Sequence, residues 1–178
     1  MKNNTTKKIV LNGLMIALVF LATYFSRIPT PLPGGYFNLG DSVIMVAAIL
    51  LGRNSGLAAG AIGSCLADLA FGSFLFAPIT LVVKGIEGYL TGMIAHSVSE
   101  KAVPTGRIIL AVTVGAIVMV GGYFVSEAFL LGFFDSTFGI TAAVTELVPN
   151  LIQGGLGAVA GYLISVLLIK LNVRAYLS

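Results

Sequence analysis

The way basic residues alternate with long apolar runs constrains this chain more than any motif does. Eight of its ten Lys and Arg residues fall at the ends of the chain or at every second gap between runs. Lys2, Lys7 and Lys8 precede the first run, and Arg53 lies between the second and third. Lys101 and Arg107 lie between the fourth and fifth, and Lys170 and Arg174 follow the sixth. If the chain is threaded six times through a bilayer, all eight share one side, where the positive-inside rule places basic residues. Only Arg27 falls in an opposite-side loop, and only Lys84 lies inside a run. The pattern predicts an all-α integral membrane bundle of six transmembrane helices, with both termini cytoplasmic.

A hydrophobic fraction of 57% with 10% charged residues leaves too few charges to solvate a globular surface of this size. Six spans of about 20 residues each make residues 1–178 a single membrane domain with no room for a soluble one. The net charge of +3 follows from orientation, so a nucleic-acid role is excluded. Cys65 is the one cysteine and lies within an apolar run, which rules out an intrachain disulfide. The basic N-terminus and its apolar stretch resemble a signal peptide. Because the stretch continues to Phe25 and more runs follow, it reads as the first transmembrane helix.

Apolar runs and turn residues place helices at about 9–26, 42–51, 54–71, 78–99, 108–131 and 143–171, the last starting at Ala143 or Pro149. The outer loop 27–41 holds Pro29, Pro31, Pro33, Gly34, Gly35 and Gly40, which favour extended and turn geometry. A loop of this length without secondary structure is more often functional than idle, and here it would gate a site facing outward. Asp41 is placed to cap the second helix, which is short for a span. Small residues recur four apart: Gly52, Gly56, Gly60 and Ser64; Gly88 and Gly92; Gly157, Gly161 and Ser165. Such rows let helices approach closely and point to packing within the bundle. Gly13 and Ala17 form a small pair on the first helix, suited to a partner-facing groove.

Ionisable groups cost at least about 2.5 kcal/mol each within hydrocarbon, so their placement carries information. With orientation set by the basic residues, Asp41, Asp68, Lys84, Glu87, Glu127, Glu146, Asn150 and Gln153 all fall in the outer half. Asp135 falls in the outer loop and Glu100 on the cytoplasmic side. This asymmetry predicts an outward-facing polar cavity over a tightly packed apolar half. Structural readings stand beside it. Lys84 and Glu87, three apart, can neutralise each other; Asp68 can cap the outer loop; Glu146 can sit favourably near a helix start. His96 reads as interfacial. Glu127, Asn150 and Gln153 are the strongest candidates for ligand contact. No Walker-type loop, metal-ligand cluster or nucleophile–base pair is present, so neither cofactor nor metal is expected and the chain is not an enzyme.

Three segments carry a family resemblance: Gly35-Tyr36-Phe37-Asn38-Leu39-Gly40-Asp41, the run from Leu51 through Gly52-Arg53-Asn54-Ser55-Gly56 to Gly60, and Lys84-Gly85-Ile86-Glu87-Gly88. They resemble the substrate-binding S components of energy-coupling factor (ECF) vitamin transporters, in the branch containing riboflavin, pantothenate and hydroxymethylpyrimidine carriers. The resemblance implies capture of a vitamin under the first outer loop, followed by docking on a membrane coupling protein (T component) with two cytoplasmic ATPases. Toppling of the S component would then deliver the cargo. It also implies substrate contacts at Asn38, Lys84, Glu87, Tyr123, Glu127, Asn150 and Gln153, and a coupling-protein contact at Gly13 and Ala17. Glycine replaces the more usual alanine at the first of that pair. The expected location is the plasma membrane of a bacterium. The absence of Trp and the mix of carboxylates with amides favour a small ring bearing amino or hydroxyl groups, hydroxymethylpyrimidine or pyridoxine before pantothenate or riboflavin. The alternative is a self-contained secondary transporter or channel for a small polar solute, although no internal repeat of broken helices supports it.

Overall fold

The computed structural model describes residues 2–31, 35–96 and 103–173. Pro33, Gly34, Glu100, Lys101, Arg174 and the last positions expected for the fourth helix, 97–99, lie outside the described residues. Six helical rods form the bundle. The first is α1 (Lys2–Phe25) and the second α2 (Gly40–Leu51). The third is built from α3 (Arg53–Ala58) and α4 (Ser64–Phe71), joined through a π-helical turn at Ala59–Gly63. The fourth is α5 (Ala77–Ala95). The fifth is α6 (Thr105–Val125), prolonged by a π turn at Ser126–Leu130 and a 3₁₀ turn at Leu131–Phe133; the sixth is α7 (Ile140–Lys170).

The breaks follow backbone chemistry. Gly52 ends α2 at φ +96° and Gly72 ends α4 at φ +77°, conformations that side chains with a Cβ avoid. Pro78 sits in the first turn of α5, where its missing N–H costs nothing.

Ten of the twelve residues of α2 are buried, which explains its short all-round apolar sequence: it is the central post of the bundle. At about 18 Å it is too short to cross a hydrocarbon core of about 30 Å alone. Among the described residues, three helical stretches are long and apolar enough to cross a membrane, Thr5–Phe25, Thr105–Phe133 and Ile140–Lys170. The six expected helices are all present, and three of them are marked as spans by length and composition alone. The third rod is interrupted and the fourth carries a buried ion pair. The outward faces of α1, α6 and α7 are apolar, with Ile9, Ile117, Val159 and Leu163 each more than half exposed.

The glycine rows interlock the rods. A Cβ on Gly60 would sit 2.2 Å from the Lys84 carbonyl oxygen, and one on Gly88 2.2 Å from that of Gly56, so α3 and α5 touch backbone to backbone. Gly157 and Gly161 seat α7 against Asp41 and Met45 of α2. Gly52 differs from the rest of its row: it makes a turn where a Cβ would meet nothing, although its carbonyl carbon lies 2.9 Å from where a Cβ on Gly92 would be. At the end bearing Arg53, Arg107 and Lys170, Met45, Ile49, Ala95, Ile108, Ala111 and Val112 form an apolar core. His96 bonds the Ile49 carbonyl there through Nε2 at 2.7 Å.

Several expected boundaries move. The last helix starts at Ile140 and runs through Pro149 rather than starting at Ala143 or Pro149. The fourth ends at Ala95, with His96 in a turn. The outer loop is not structureless: β1 (Ile28–Pro29) pairs antiparallel with β2 (Tyr36–Phe37), in register Ile28 to Phe37 and Pro29 to Tyr36.

Candidate ligand-binding site

At the end opposite the basic residues, the bundle opens a cavity of about 40 Å³ beneath the β1–β2 ribbon. It is lined by Thr23 of α1; Gly35, Tyr36 and Asn38 of the loop; Ser64 and Asp68 of α4; and Thr80 and Lys84 of α5. Tyr123 of α6, Glu127 of the π turn, Glu146, Asn150 and Gln153 of α7, and the buried Phe76 complete it.

Six of the seven expected contact residues therefore line one void: Asn38, Lys84, Tyr123, Glu127, Asn150 and Gln153. Glu87 does not. It stands fully buried behind Lys84 and accepts from the Lys84 ammonium at 3.1 Å, the pairing that three-residue spacing on a helix allows.

Asp41 overturns its expected role. It is not the N-cap of α2; it lies in the first turn, fully buried, and its carboxylate pairs with Lys84 through Oδ1. Its Oδ2 accepts from Gln153 Nε2 at 3.0 Å. Gln153 Oε1 in turn accepts the Asn38 backbone N–H at 2.9 Å. Asn38 Oδ1 accepts the Gly40 N–H at 2.8 Å, tying the loop to the start of α2. One chain of polar contacts, Glu87–Lys84–Asp41–Gln153–Asn38, thus joins α5, α2, α7 and the loop. Breaking such a buried pair by removing one partner is costly because it strands the other charge. Lys84 Nζ also lies 5.6 Å from the Tyr123 ring, whose hydroxyl is 2.8 Å from Thr80 Oγ1.

The roof is held by the loop's own side chains. Tyr36 donates its hydroxyl to Asp68 Oδ1. Burial, and then the charge of Asp68, push the Tyr36 phenol far above its ordinary range, so it remains a donor. The Arg27 guanidinium sits in the corner of the edge-to-face Tyr36–Phe71 pair, 4.0 Å from the Phe71 centroid and 4.7 Å from that of Tyr36, and Tyr24 stacks on Phe71 at 4.4 Å. The Leu39 N–H donates to Ser26 Oγ at 2.8 Å and draws the loop's two ends together.

Thr23 goes unmentioned at the sequence level, Ser64 falls in a packing row, and Asp68 and Glu146, although counted among the outer-half groups, are given loop-capping and helix-start roles; all four line the void. For Asp68 and Glu146 the signal was present in their depth. For Ser64 and Thr23 an isolated hydroxyl on an apolar helix offers none. The π turns matter here because an extra residue in a turn re-aims the side chains that follow. One turn precedes Ser64 and Asp68, and the other carries Glu127.

Four buried lining atoms have no hydrogen-bond partner: Asp68 Oδ2, Glu127 Oε2, Ser64 Oγ and Thr23 Oγ1. Buried polar groups in folded proteins are nearly always satisfied, so these are the atoms a ligand would engage. No group of three or more metal-ligating side chains occurs among the described residues.

Residues 3–170 match the family described as "ECF-type riboflavin transporter, S component". Among curated relatives, an uncharacterised protein of Pyrococcus woesei is 39% identical over 143 residues, 80% of this chain and 88% of that one. The thiamine precursor transporter HmpT of Lactococcus lactis subsp. cremoris is 26% identical over 153 residues, 85% of this chain and 86% of that one. A UPF0397 protein of Streptococcus agalactiae is 31% identical over 100 residues, 56% of this chain and 54% of its own length.

Proposed function

Because the chain belongs to the family of ECF-type transporter S components, we propose that it captures a small water-soluble vitamin or vitamin precursor outside the cell and delivers it inward. S components are transport subunits rather than enzymes, and the chain is a membrane protein. The observation that carries the reading is the cavity itself. A bundle with an apolar exterior gathers six expected polar residues from the loop and three rods around one void, and leaves buried acceptors in it unsatisfied. A soluble cargo supplies the missing partners.

Hydroxymethylpyrimidine or a pyridoxine-like ring fits best, ahead of pantothenate or riboflavin. At about 40 Å³ the void has room for about three waters. A single ring is therefore far closer to its size than a three-ring flavin, and entry requires the ribbon to lift. HmpT is named for a thiamine precursor, which supports the pyrimidine choice.

The cavity opens outward and both termini lie in the cytoplasm, in keeping with Arg53, Arg107 and Lys170 at the opposite end. Docking uses the exposed Gly13 and Ala17 on α1, where a Cβ at Gly13 would meet nothing within 4 Å. Energy comes from two ATPases acting through a T component, and toppling carries the cargo across.

Mass spectrometry of the small molecule that copurifies with the chain tests the reading. A pyrimidine or pyridoxine-type vitamin is expected. Gradient-driven uptake into liposomes holding only this chain would replace the reading with a self-contained transporter. Cysteines introduced at Asn54 and Ser136 are expected to label from the cytoplasm and from outside, respectively; the reverse would overturn the orientation.

A further inference from the structure

The geometry points to a cavity that selects its cargo by charge, holding a ring that carries a protonated or amino nitrogen and rejecting carboxylates and phosphates. This rests on the cargo-capture reading and narrows it. Lys84 supplies the only ammonium among the described lining residues, and that ammonium is already committed to Asp41 and Glu87. Both of those carboxylates are buried behind it, so an anionic ligand would have to break an internal pair to reach the cation. The other charged lining residues are all acidic, Asp68, Glu127 and Glu146, and Asp68, whose Oδ1 is taken by Tyr36, leaves Oδ2 without a partner.

Glu127 makes this more than an acidic cluster. Its side chain is 3% exposed, faces the void from the π turn, and leaves Oε2 without a partner. Glu146, on α7, lines the same void. A cation or an N–H donor placed at Glu127 Oε2 would satisfy the orphan oxygen. Ser64 Oγ, 2% exposed and likewise unpartnered, can take either end of a hydroxyl on the same ring. Glu127 is thereby the specificity-determining residue, with Ser64 a secondary contact.

The test is calorimetric binding to the full chain in detergent. The probes are hydroxymethylpyrimidine (an aminopyrimidine), its oxo analogue with a carbonyl in place of the amine, and pantothenate. Expected is a ranking of amino over oxo, with pantothenate unbound, and a roughly ten- to hundredfold loss for the amino ligand in Glu127→Gln. The oxo ligand should lose little, and the amino preference should shrink. An amino preference that survives Glu127→Gln overturns the role of Glu127. Tight binding of pantothenate or a phosphorylated vitamin by the wild-type chain overturns charge selection while leaving cargo capture standing. A folded chain that binds no vitamin would remove the parent reading itself. Should Glu127→Gln fail to fold, the wild-type ranking decides alone.

Discussion

The two ends of the bundle solve opposite problems. At the basic end, Met45, Ile49, Ala95, Ile108 and Val112 pack into an apolar core, and glycines bring α3 and α5 into backbone contact. Its stranded polar groups are lone hydroxyls, Thr91 and Ser165. At the cavity end, the same rods bury carboxylates, an ammonium and amides, and carboxylate oxygens of Asp68, Glu87 and Glu127 are left without a partner. Stability is concentrated where backbones touch, and unsatisfied chemistry where they part. A site kept open to cargo gives up satisfied hydrogen bonds, and the tight half offsets that loss.

Substitutions can break this contrast, starting with the largest effect. Gly60→Leu drives a side chain into the Lys84 backbone and should exceed the roughly 1–3 kcal/mol of ordinary overpacking. Loss of folded, monodisperse protein on size-exclusion chromatography is expected; normal yield would show that the close approach is dispensable. Asp41→Ala strands Lys84 on Glu87 alone and releases Gln153, a loss of about 3 kcal/mol, since removing one member of a buried pair costs about 3–5 and Glu87 remains. Thermal unfolding in detergent measures it, and an unchanged midpoint would mean that the polar chain adds nothing to the fold.

Asn150→Ala should weaken vitamin binding roughly tenfold with folded yield intact; unchanged affinity would remove Asn150 from the site. Gly13→Leu should leave both stability and binding by the isolated chain unaltered, because nothing lies near that position. Transport by the complete complex should nonetheless be lost, and parallel loss of binding would argue against a docking role for α1.

Much of this was legible in the sequence. The apolar runs gave the rods, and the depth of the ionisable residues gave the cavity, because a charge in hydrocarbon has few places to go. Asp41 was misread because a carboxylate at a helix start looks like a cap, whereas its partners, Lys84 and Gln153, lie 43 and 112 residues away in sequence. The π turns left no signature, since an inserted residue in a helix preserves apolar composition while shifting its phase. The Arg27 contact with the Tyr36 and Phe71 rings was equally hidden. One basic residue on the wrong side of a charge pattern shows nothing of the rings that flank it.

Two tyrosines, Tyr36 and Tyr123, border the void, in a chain with six tyrosines and no tryptophan. Emission excited in the tyrosine band therefore comes from phenols, and a third of them sit where cargo would arrive. Intrinsic fluorescence, untouched by any dye or tag, becomes a direct optical reporter of occupancy for this transporter subunit.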